Sequence, residues 1–343
     1  MFKDLQKPYL IAEISANHCG SIEIAKELIH EASVNGADCV KLQSYEPHTM
    51  TIQSNKDDFL LKHGLWKGYT LWDLYKKAYT PFDWHRELFD FAKKNNITII
   101  STPFDESAVD LLENLNTPFY KVSSFEITDV VLLEYIAKTG KPIILSTGMA
   151  SPEEIKEAID ILDKNSSGEY ALLHCVSGYP TPIEEINLSR IRSLKNLFDC
   201  EVGLSDHTQG NLASTLAITF GAKIIEKHFT LNRGNGSLDS EFSIEPQELK
   251  ALKIDIDKAH RAIGNGKFIH QNTETSNSEH KRSIYVAQSI KKGDYFSLSN
   301  IKRVRPGLGL HPRFYKKLIG TEACCDLEVG DALKIEHTSI DKE

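Results

Sequence analysis

The 343-residue sequence lacks the features that mark membrane, secreted and nucleic-acid-binding proteins. It contains no apolar run of membrane-spanning length, and the opening residues MFKDLQKPYLIAEIS have no basic region followed by a long apolar stretch. The formal net charge of −8 disfavours nucleic acid and anionic membranes as partners. We therefore expect a cytoplasmic protein that holds any anionic substrate with locally placed Lys, Arg and backbone N–H groups.

The six cysteines show no Cys-x-x-Cys spacing. The adjacent pair Cys324 and Cys325 is a poor disulfide candidate, because a bridge between neighbouring residues is strained. We interpret all six as reduced thiols of a reducing compartment. A GxGxxG turn after the first predicted strand is also missing, which disfavours a doubly wound dinucleotide-binding sheet.

Short apolar runs alternate with helix-like segments over roughly the first 250 residues. Several of the segments between them open with Ser, Thr or Asp and close at Asn or Gly, as capped helices do. This alternation predicts an α/β fold, a (β/α)8 TIM barrel, with a doubly wound open sheet as the alternative. The eight strands are predicted at residues 9–15, 37–43, 97–103, 119–124, 142–148, 170–175, 201–207 and 222–229.

The pattern changes after residue 264, where a polar stretch rich in Gly, Asn and Ser precedes short β-like runs separated by Gly and Asp turns. We therefore predict a catalytic barrel domain over 1–265, a linker over 266–281 and a small β-rich domain over 282–343.

The stretch 44–80, after the second strand, is long for a barrel loop and unusually aromatic. Long loops at the active face of a barrel often shape the substrate pocket, and we expect this one to do so. Its aromatic residues are Tyr45, Phe59, Trp66, Tyr69, Trp72, Tyr75 and Tyr79.

Two histidines, His207 and His228, stand at the outgoing ends of the last two predicted strands. Catalytic groups of a barrel come from these strand ends, so the pair is a candidate metal site. Two nitrogen ligands are too few for a structural zinc site and leave positions for water or substrate oxygens. Such an open site suits Mn²⁺ or Mg²⁺ acting as a Lewis acid.

Other strand ends carry the groups of an anion site. Lys41 and Lys121 lie within apolar strand patterns and reach water most easily through the barrel mouth. With the hydroxyls of Thr102, Ser124, Ser146 and Ser205 they would bind phosphate and carboxylate oxygens. The carboxylates of Glu13, Glu126 and Asp239 are candidates to orient a sugar, relay a proton or guide water. Further polar strand-end residues are Asn17, His18, Gln43, Ser123, Thr147, His174, Asp206 and Lys227.

Nine ordered motifs resemble the sialic acid synthase family: AEISANHCG, VKLQ, ISTPFD, YKVSS-x-E, LSTGM, SGYPTP, GLSDHT, EKHFT and RPGLG. The resemblance runs from about residue 9 to the C-terminus. It implies condensation of phosphoenolpyruvate with an N-acylated aldose by a TIM barrel that is followed by an antifreeze-like (SAF) domain. It also implies a domain-swapped homodimer, in which the SAF domain of one subunit covers the barrel mouth of the other.

The resemblance also implies roles for individual residues, each carried over by its motif. His207 and His228 resemble metal ligands, for Mn²⁺ or alternatively Mg²⁺ or Co²⁺, and Glu126 resembles a catalytic carboxylate. Arg305 resembles an arginine that contacts an acyl group in the partner's site. The set resembling phosphoenolpyruvate ligands is Lys41, Thr102, Lys121, Ser124, Ser146 and Ser205. The set on the sugar side is Glu13, Gln43, Tyr179 and Asp239.

Departures from the sialic acid pattern indicate a branch of the family. Phe125 replaces a small Gly, LDSEFSIEP replaces a PDH-containing stretch, and an aromatic insertion precedes the third strand. These features resemble the branch that makes pseudaminic acid from 2,4-diacetamido-2,4,6-trideoxy-L-altrose, whose missing 6-hydroxyl suits a more apolar pocket. Sialic or legionaminic acid synthesis is the alternative.

Two readings from other classes are weaker. A metallohydrolase barrel would carry an HxH pair after the first strand, where this sequence has only His18. A binding or ice-adsorbing C-terminal module would need a flat surface of small residues, whereas KKGD, KRVR and FYKK are strongly basic. The binding-module hypothesis also leaves the polar residues at eight strand ends without a purpose.

Overall fold

The computed structural model describes residues 1–165 and 169–340. The described residues divide into two compact units, with the boundary after Gly264. The first unit contains eight parallel strands hydrogen-bonded in the order β3-β2-β1-β8-β7-β6-β5-β4, and β3 lies beside β4. The predicted (β/α)8 barrel is therefore confirmed as a nearly closed ring. Its strands are β1 (Tyr9–Glu13), β2 (Cys39–Ser44), β3 (Thr98–Pro103), β4 (Tyr120–Val122), β5 (Ile143–Ser146), β6 (Tyr170–Cys175), β7 (Glu201–Asp206) and β8 (Ile224–His228).

Helices separate the strands and begin at capping residues. Ser151 and Glu154 form a reciprocal capping box at the start of the helix Pro152–Lys164. The Asp105 side chain accepts from two backbone N–H groups at the start of the helix Glu106–Asn114. The helices of this unit are α1 (Ile22–Val34), α2 (Pro47–Met50), α3 (Leu71–Ala78), α4 (Trp84–Lys94), α5 (Glu106–Asn114), α6 (Val130–Ala137), α7 (Pro152–Lys164), α8 (Ser189–Phe198), α9 (Leu212–Thr219) and α10 (Pro246–Ala262).

Strand β8 shows how the alternation of side chains positions the site. Ile224 packs in the barrel interior and Ile225 packs between the strands and the helices. Because side chains alternate along a strand, Glu226 and His228 follow Ile224 into the barrel, while Lys227 follows Ile225 outward. Gly203 on β7 permits this close pairing, since a Cβ there would lie 2.2 Å from the Ile224 carbonyl oxygen.

The barrel interior is packed at the amino ends of the strands. Phe2, just before β1, meets the ring of Phe119, just before β4, edge to face with ring centroids 5.6 Å apart. A small apolar cluster that includes Ile11, Ile100 and Ile144 fills the adjoining layer. The cavity described below lies at the opposite, carboxyl ends.

The stretch 44–80, predicted as a loop, contains two helices, α2 and α3. The Thr70 side chain caps α3 by accepting from the Asp73 backbone N–H at 3.1 Å. The apolar residues of α3 recur at intervals of three and four residues, which places them on one face of the helix. That face lines the cavity with Leu71, Leu74, Tyr75 and Ala78.

The second unit has its own apolar core, which includes Ile284, Phe296 and Leu333. Its antiparallel strands are β9 (Ser283–Val286) and β10 (Ile301–Val304), and its short helices are α11 (Asn272–Thr275) and α12 (Tyr315–Leu318). In neither described part of the chain is any helix both long and apolar enough to cross a bilayer.

Candidate active site

A cavity of about 400 Å³ opens at the carboxyl ends of the barrel strands. Its wall contains every residue predicted for the site except Glu13 and Arg305. Arg305 is exposed on the second unit, directly after β10. The predicted residues that meet in the cavity are Lys41, Gln43, Thr102, Lys121, Ser124, Glu126, Ser146, Tyr179, Ser205, His207, His228 and Asp239.

Two buried lysines and two buried carboxylates form the floor of the cavity. Lys41 donates to the Glu13 carboxylate and to Thr102 Oγ1 at 3.2 Å. Lys121 donates to the Val122 carbonyl at 2.9 Å. Glu226 lies between the lysines, with Oε1 3.8 Å from Lys41 Nζ and Oε2 3.8 Å from Lys121 Nζ. Glu13 is thus a partner of Lys41 and is absent from the cavity wall, so its predicted position facing the sugar is not observed.

Burial and these charges set opposite protonation tendencies in the two lysines. Burial opposes the charge of Lys41, but the neighbouring carboxylates of Glu13 and Glu226 outweigh it and raise the pKa of Lys41. Lys121 makes no hydrogen bond to a carboxylate of the described residues, and burial lowers the pKa of its ammonium despite Glu226. The two ammonium groups overcome burial at Glu226 and lower the pKa of its carboxyl group. The floor therefore contains ionised groups of both signs.

Hydroxyl groups surround this floor. Ser124 Oγ accepts from the Gly148 backbone N–H at 3.1 Å, and a Cβ at Gly148 would lie 2.7 Å from that oxygen. Ser205 Oγ donates to Glu226 Oε1 at 3.3 Å. Ser146 Oγ is buried and has no hydrogen-bond partner within residues 1–165 and 169–340. A buried hydroxyl without a partner indicates a place for a ligand atom.

The two histidines are neighbours in the cavity wall, with ring centroids 5.3 Å apart. His207 Nδ1 lies 3.1 Å from the Val176 carbonyl. Because a carbonyl only accepts, Nδ1 carries the proton and Nε2 keeps its lone pair for a metal. His228 Nδ1 is buried without a hydrogen bond in the described structure, although Asp239 Oδ2 is 3.4 Å away. These nitrogen atoms fit the pair of ligands predicted for a divalent cation.

The protein itself supplies few further metal ligands. No cluster of three or more His, Cys, Asp and Glu side chains suited to a metal ion occurs among the residues that the structure describes. The remaining coordination positions would fall to water and substrate oxygens, as in open catalytic sites.

Glu126 lines the cavity in the turn after β4. Its carboxylate accepts a short hydrogen bond from Ser123 Oγ. Burial raises the pKa of Glu126 above that of an ordinary glutamate, even though Ser123 and Lys121 favour the ionised form. A carboxyl group with a raised pKa is suited to proton transfer near neutral pH.

One wall of the cavity is apolar and aromatic. Trp66 donates through Nε1 to the Leu238 carbonyl at 3.0 Å, and its ring centroid lies 5.4 Å from that of Tyr179. Other members of this wall are Tyr45, Met50, Leu61, Tyr75, Phe104 and Phe125. From the predicted aromatic stretch, only Tyr45, Trp66 and Tyr75 line the cavity, whereas Phe59, Tyr69, Trp72 and Tyr79 do not.

Several polar strand-end residues point away from the cavity. Asp206 and Lys227 form a buried ion pair at 2.8 Å behind the strands. His174 Nε2 donates to the Ile186 carbonyl at 2.6 Å, because a carbonyl oxygen can only accept. Their neighbours in sequence occupy the inward positions, because a strand alternates.

Two ionisable residues of the cavity wall were missed from the sequence. Glu226 precedes His228 by two residues, so strand alternation places both on the inner face. Cys175 ends β6 with Sγ 3.8 Å from His207 Nδ1. The spacing of Glu226 to His228 was a usable signal, whereas the inward direction of Cys175 required the exact boundary of β6.

The chain is similar to known proteins over most of its length. The chain matches the NeuB family over residues 28–268 and the SAF domain over residues 281–337. It is 43% identical to pseudaminic acid synthase of Campylobacter jejuni over 333 residues, covering 97% of each chain. It is 40% identical over 320 residues to N,N'-diacetyllegionaminic acid synthase of the same species, covering 92% of this chain and 96% of that one.

A solved structure is similar as well. N-acetylneuraminic acid synthetase of Leptospira borgpetersenii, crystallised in complex with citrate, aligns with a TM-score of 0.72 at 33% identity. The alignment covers 79% of this chain and 90% of that chain.

Proposed function

The chain belongs to the NeuB family, as the resemblance to sialic acid synthases predicted, and from this premise we propose the reaction that it catalyses. We propose that it condenses phosphoenolpyruvate with 2,4-diacetamido-2,4,6-trideoxy-L-altrose to give pseudaminic acid and phosphate. It is a nonulosonic acid synthase with a C-terminal SAF domain. The acceptor sugar, the use of phosphoenolpyruvate and the metal are the proposed parts.

One observation carries the proposal: a single cavity combines a cationic, hydroxyl-rich floor with an aromatic wall and two neighbouring histidines. Phosphoenolpyruvate has phosphate and carboxylate oxygens, which match ammonium and hydroxyl donors. A deoxysugar with two acetamido groups has apolar faces and methyl groups, which match an aromatic wall. The cavity therefore suits both substrates together.

The donor end of the cavity works mainly by positioning and electrostatics. Lys41 and Lys121 neutralise the anionic groups of phosphoenolpyruvate, while Ser146 Oγ is free to donate to them. With the donor held in this way, the C2–C3 π electrons form the bond from C3 to the aldehyde carbon, the C=O π bond breaks, and C2 becomes electron-deficient. Water adds to C2 and gives up one proton, which balances the proton that the aldehyde oxygen takes up to become a hydroxyl. The C2–O bond to phosphate then breaks as the new C2 hydroxyl becomes a carbonyl, and its proton leaves with the phosphate.

Glu126 is placed to handle the proton of the attacking water. Its raised pKa lets it hold a proton transiently, and Ser123 fixes one of its oxygen atoms. His207 and His228 would hold Mn²⁺, Mg²⁺ or Co²⁺, which supplies a Lewis acid for the acceptor aldehyde. Tyr179 packs against the His207 ring with centroids 4.5 Å apart and keeps it oriented.

The test is phosphate release from phosphoenolpyruvate with Mn²⁺ and each of three acceptors. These are the 2,4-diacetamido-L-altrose, the legionaminic acid precursor and N-acetylmannosamine. We expect turnover with the altrose alone. Turnover with another sugar would support the proposed reaction but overturn the proposed acceptor. If no sugar gives phosphate release, the proposed reaction is wrong.

A second test concerns the aromatic wall. Phe125 is 60% exposed and borders the cavity. Replacing Phe125 with Gly should raise the KM of the altrose and leave the KM of phosphoenolpyruvate within twofold. Equal changes in both values would show that Phe125 does not select the acceptor.

A further inference from the structure

Glu226 presents a problem for an anion-binding cavity, because it places a carboxylate on the floor where anionic oxygens should bind. It lines the cavity and is buried, with an exposed fraction of 4%. Simple Coulomb repulsion would make this residue weaken the binding of any anion. Its position must therefore be explained by its effect on the lysines.

The distances show what Glu226 does to these lysines. Each of its oxygens is 3.8 Å from one ammonium nitrogen, which is too far for a hydrogen bond but close enough for strong Coulomb attraction. Oε2 has no hydrogen-bond partner among the described residues. Glu226 therefore balances the charge of both lysines without occupying their N–H donors.

The two lysines depend on Glu226 to different degrees. Lys41 keeps a direct contact with Glu13. Within residues 1–165 and 169–340, Lys121 has Glu226 as its one carboxylate within 4.0 Å, and it uses one N–H donor on the Val122 carbonyl. An ammonium has three donors, so two donors of Lys121 remain for a ligand.

We propose that Glu226 is a positioning residue that keeps Lys121 charged and in place, with its free donors aimed at the anionic donor substrate. This inference rests on the proposed use of phosphoenolpyruvate. Without Glu226, Lys121 would be a buried ammonium beside a second ammonium, and it would lose its proton or turn away. Removing this negative charge should thus weaken anion binding.

The experiment measures phosphoenolpyruvate binding by calorimetry, without acceptor sugar and with Mn²⁺ present in every sample. Glu226→Gln should raise the Kd at least tenfold, and Glu226→Asp, which keeps the charge on a shorter side chain, should raise it about threefold. In turnover, the KM of phosphoenolpyruvate should rise by similar factors, while the KM of the sugar stays within twofold. The matched control is Asp38→Asn, which removes a carboxylate paired with Lys253 before β2, and its Kd should stay within twofold of wild type.

A double variant tests the route through Lys121. In a Lys121→Met background, Glu226→Gln should change the Kd by less than threefold, because the group on which it acts is gone. A Kd for Glu226→Gln equal to or tighter than that of wild type would overturn the inference. If Glu226→Gln does not fold, an unchanged Kd for Glu226→Asp would overturn it. Failure of the wild-type protein to bind phosphoenolpyruvate would instead overturn the proposed function.

Discussion

Two buried groups of lysines and carboxylates lie at the same end of the barrel, on opposite sides of the strands. The inner cluster comprises Lys41, Lys121, Glu13 and Glu226. The outer cluster comprises Lys227 and Asp206, with Thr208 and Ser214. Both combine lysine with carboxylate side chains at nearly complete burial, yet they differ in how many of their polar atoms are hydrogen-bonded.

In the outer cluster every polar atom has a close partner. Asp206 accepts from Lys227 at 2.8 Å, from Ser214 Oγ at 2.6 Å, and from the backbone and hydroxyl of Thr208. Lys227 also donates to the Thr208 carbonyl at 2.7 Å. In the inner cluster, Glu226 Oε2 has no hydrogen bond in the described structure. An ion pair whose atoms are all hydrogen-bonded to protein needs no ligand, whereas an unsatisfied oxygen in the cavity wall leaves a hydrogen-bonding position for one.

The largest expected effect is on stability, from the outer cluster. Lys227→Met leaves Asp206 buried without its counter-charge, which should lower the free energy of unfolding by about 3–5 kcal/mol. Urea denaturation would measure this loss. The KM of phosphoenolpyruvate for the folded variant should stay within threefold of the wild-type value. A loss of unfolding free energy below about 1 kcal/mol would contradict a structural role for the outer cluster.

The inner cluster should give the opposite result. Lys121→Met removes an ammonium that faces the anionic donor, so kcat/KM for phosphate release should fall on the order of 10²- to 10³-fold, or about 3–4 kcal/mol. Its free energy of unfolding should change by less than about 1 kcal/mol, because few protein partners are lost. Lys253→Met, which breaks the ion pair with Asp38, provides the control. Unchanged turnover in Lys121→Met would remove the distinction between the clusters.

Buried histidines outside the cavity resemble the outer cluster, and they make the stability of the fold depend on pH. His85 Nδ1 donates to the Pro81 carbonyl at 3.0 Å and its Nε2 lies 2.6 Å from Ser44 Oγ, so the neutral ring is fully satisfied. Burial lowers the pKa of His85 to about 4. The unfolded chain binds a proton near pH 6.5, so stability is complete above that pH and is lost as pH falls toward 4.

A His85 variant measures how much unfolding free energy the protein loses through this protonation. Between pH 7 and pH 4.5, His85 should account for about 2–3 kcal/mol of the lost unfolding free energy. In His85→Gln the decline over this range should be smaller by that amount, as determined by urea denaturation at both pH values. An identical decline in the two proteins would mean that His85 is protonated in the folded state. His18, whose pKa burial also lowers to about 4, should behave similarly.

Much of the fold was accessible from local sequence patterns. Strand alternation with capped helices predicted the barrel, and the strand ends predicted the residues that meet in the cavity, because a parallel barrel brings all carboxyl ends together. Helix α3 was predicted as loop, although Leu71, Leu74, Tyr75 and Ala78 already had helical spacing.

The direction of individual side chains was harder to predict. Asp206 and Lys227 are as polar as Ser205 and Glu226. Side chains alternate along a strand, and only this alternation directs the first pair outward and the second pair into the barrel. Glu13 was expected to face the sugar, whereas the structure pairs it with Lys41. The alternation of side chains can be predicted from the sequence. The contact between Glu13 on β1 and Lys41 on β2 also depends on the register of the two strands, which the sequence does not give.

The smallest expected effect compares two serines, one in each environment. Ser146 Oγ has no partner in the described residues, so Ser146→Ala should leave stability unchanged but remove a hydrogen bond to the anionic donor, worth about 1–2 kcal/mol. Phosphoenolpyruvate KM should therefore rise roughly 5- to 30-fold. Ser214→Ala should do the reverse, because Ser214 Oγ donates to Asp206 at 2.6 Å: stability should fall by about 1–2 kcal/mol while KM stays within twofold. If both variants lose stability while the KM of phosphoenolpyruvate stays unchanged, unsatisfied polar atoms do not mark the ligand site in this barrel.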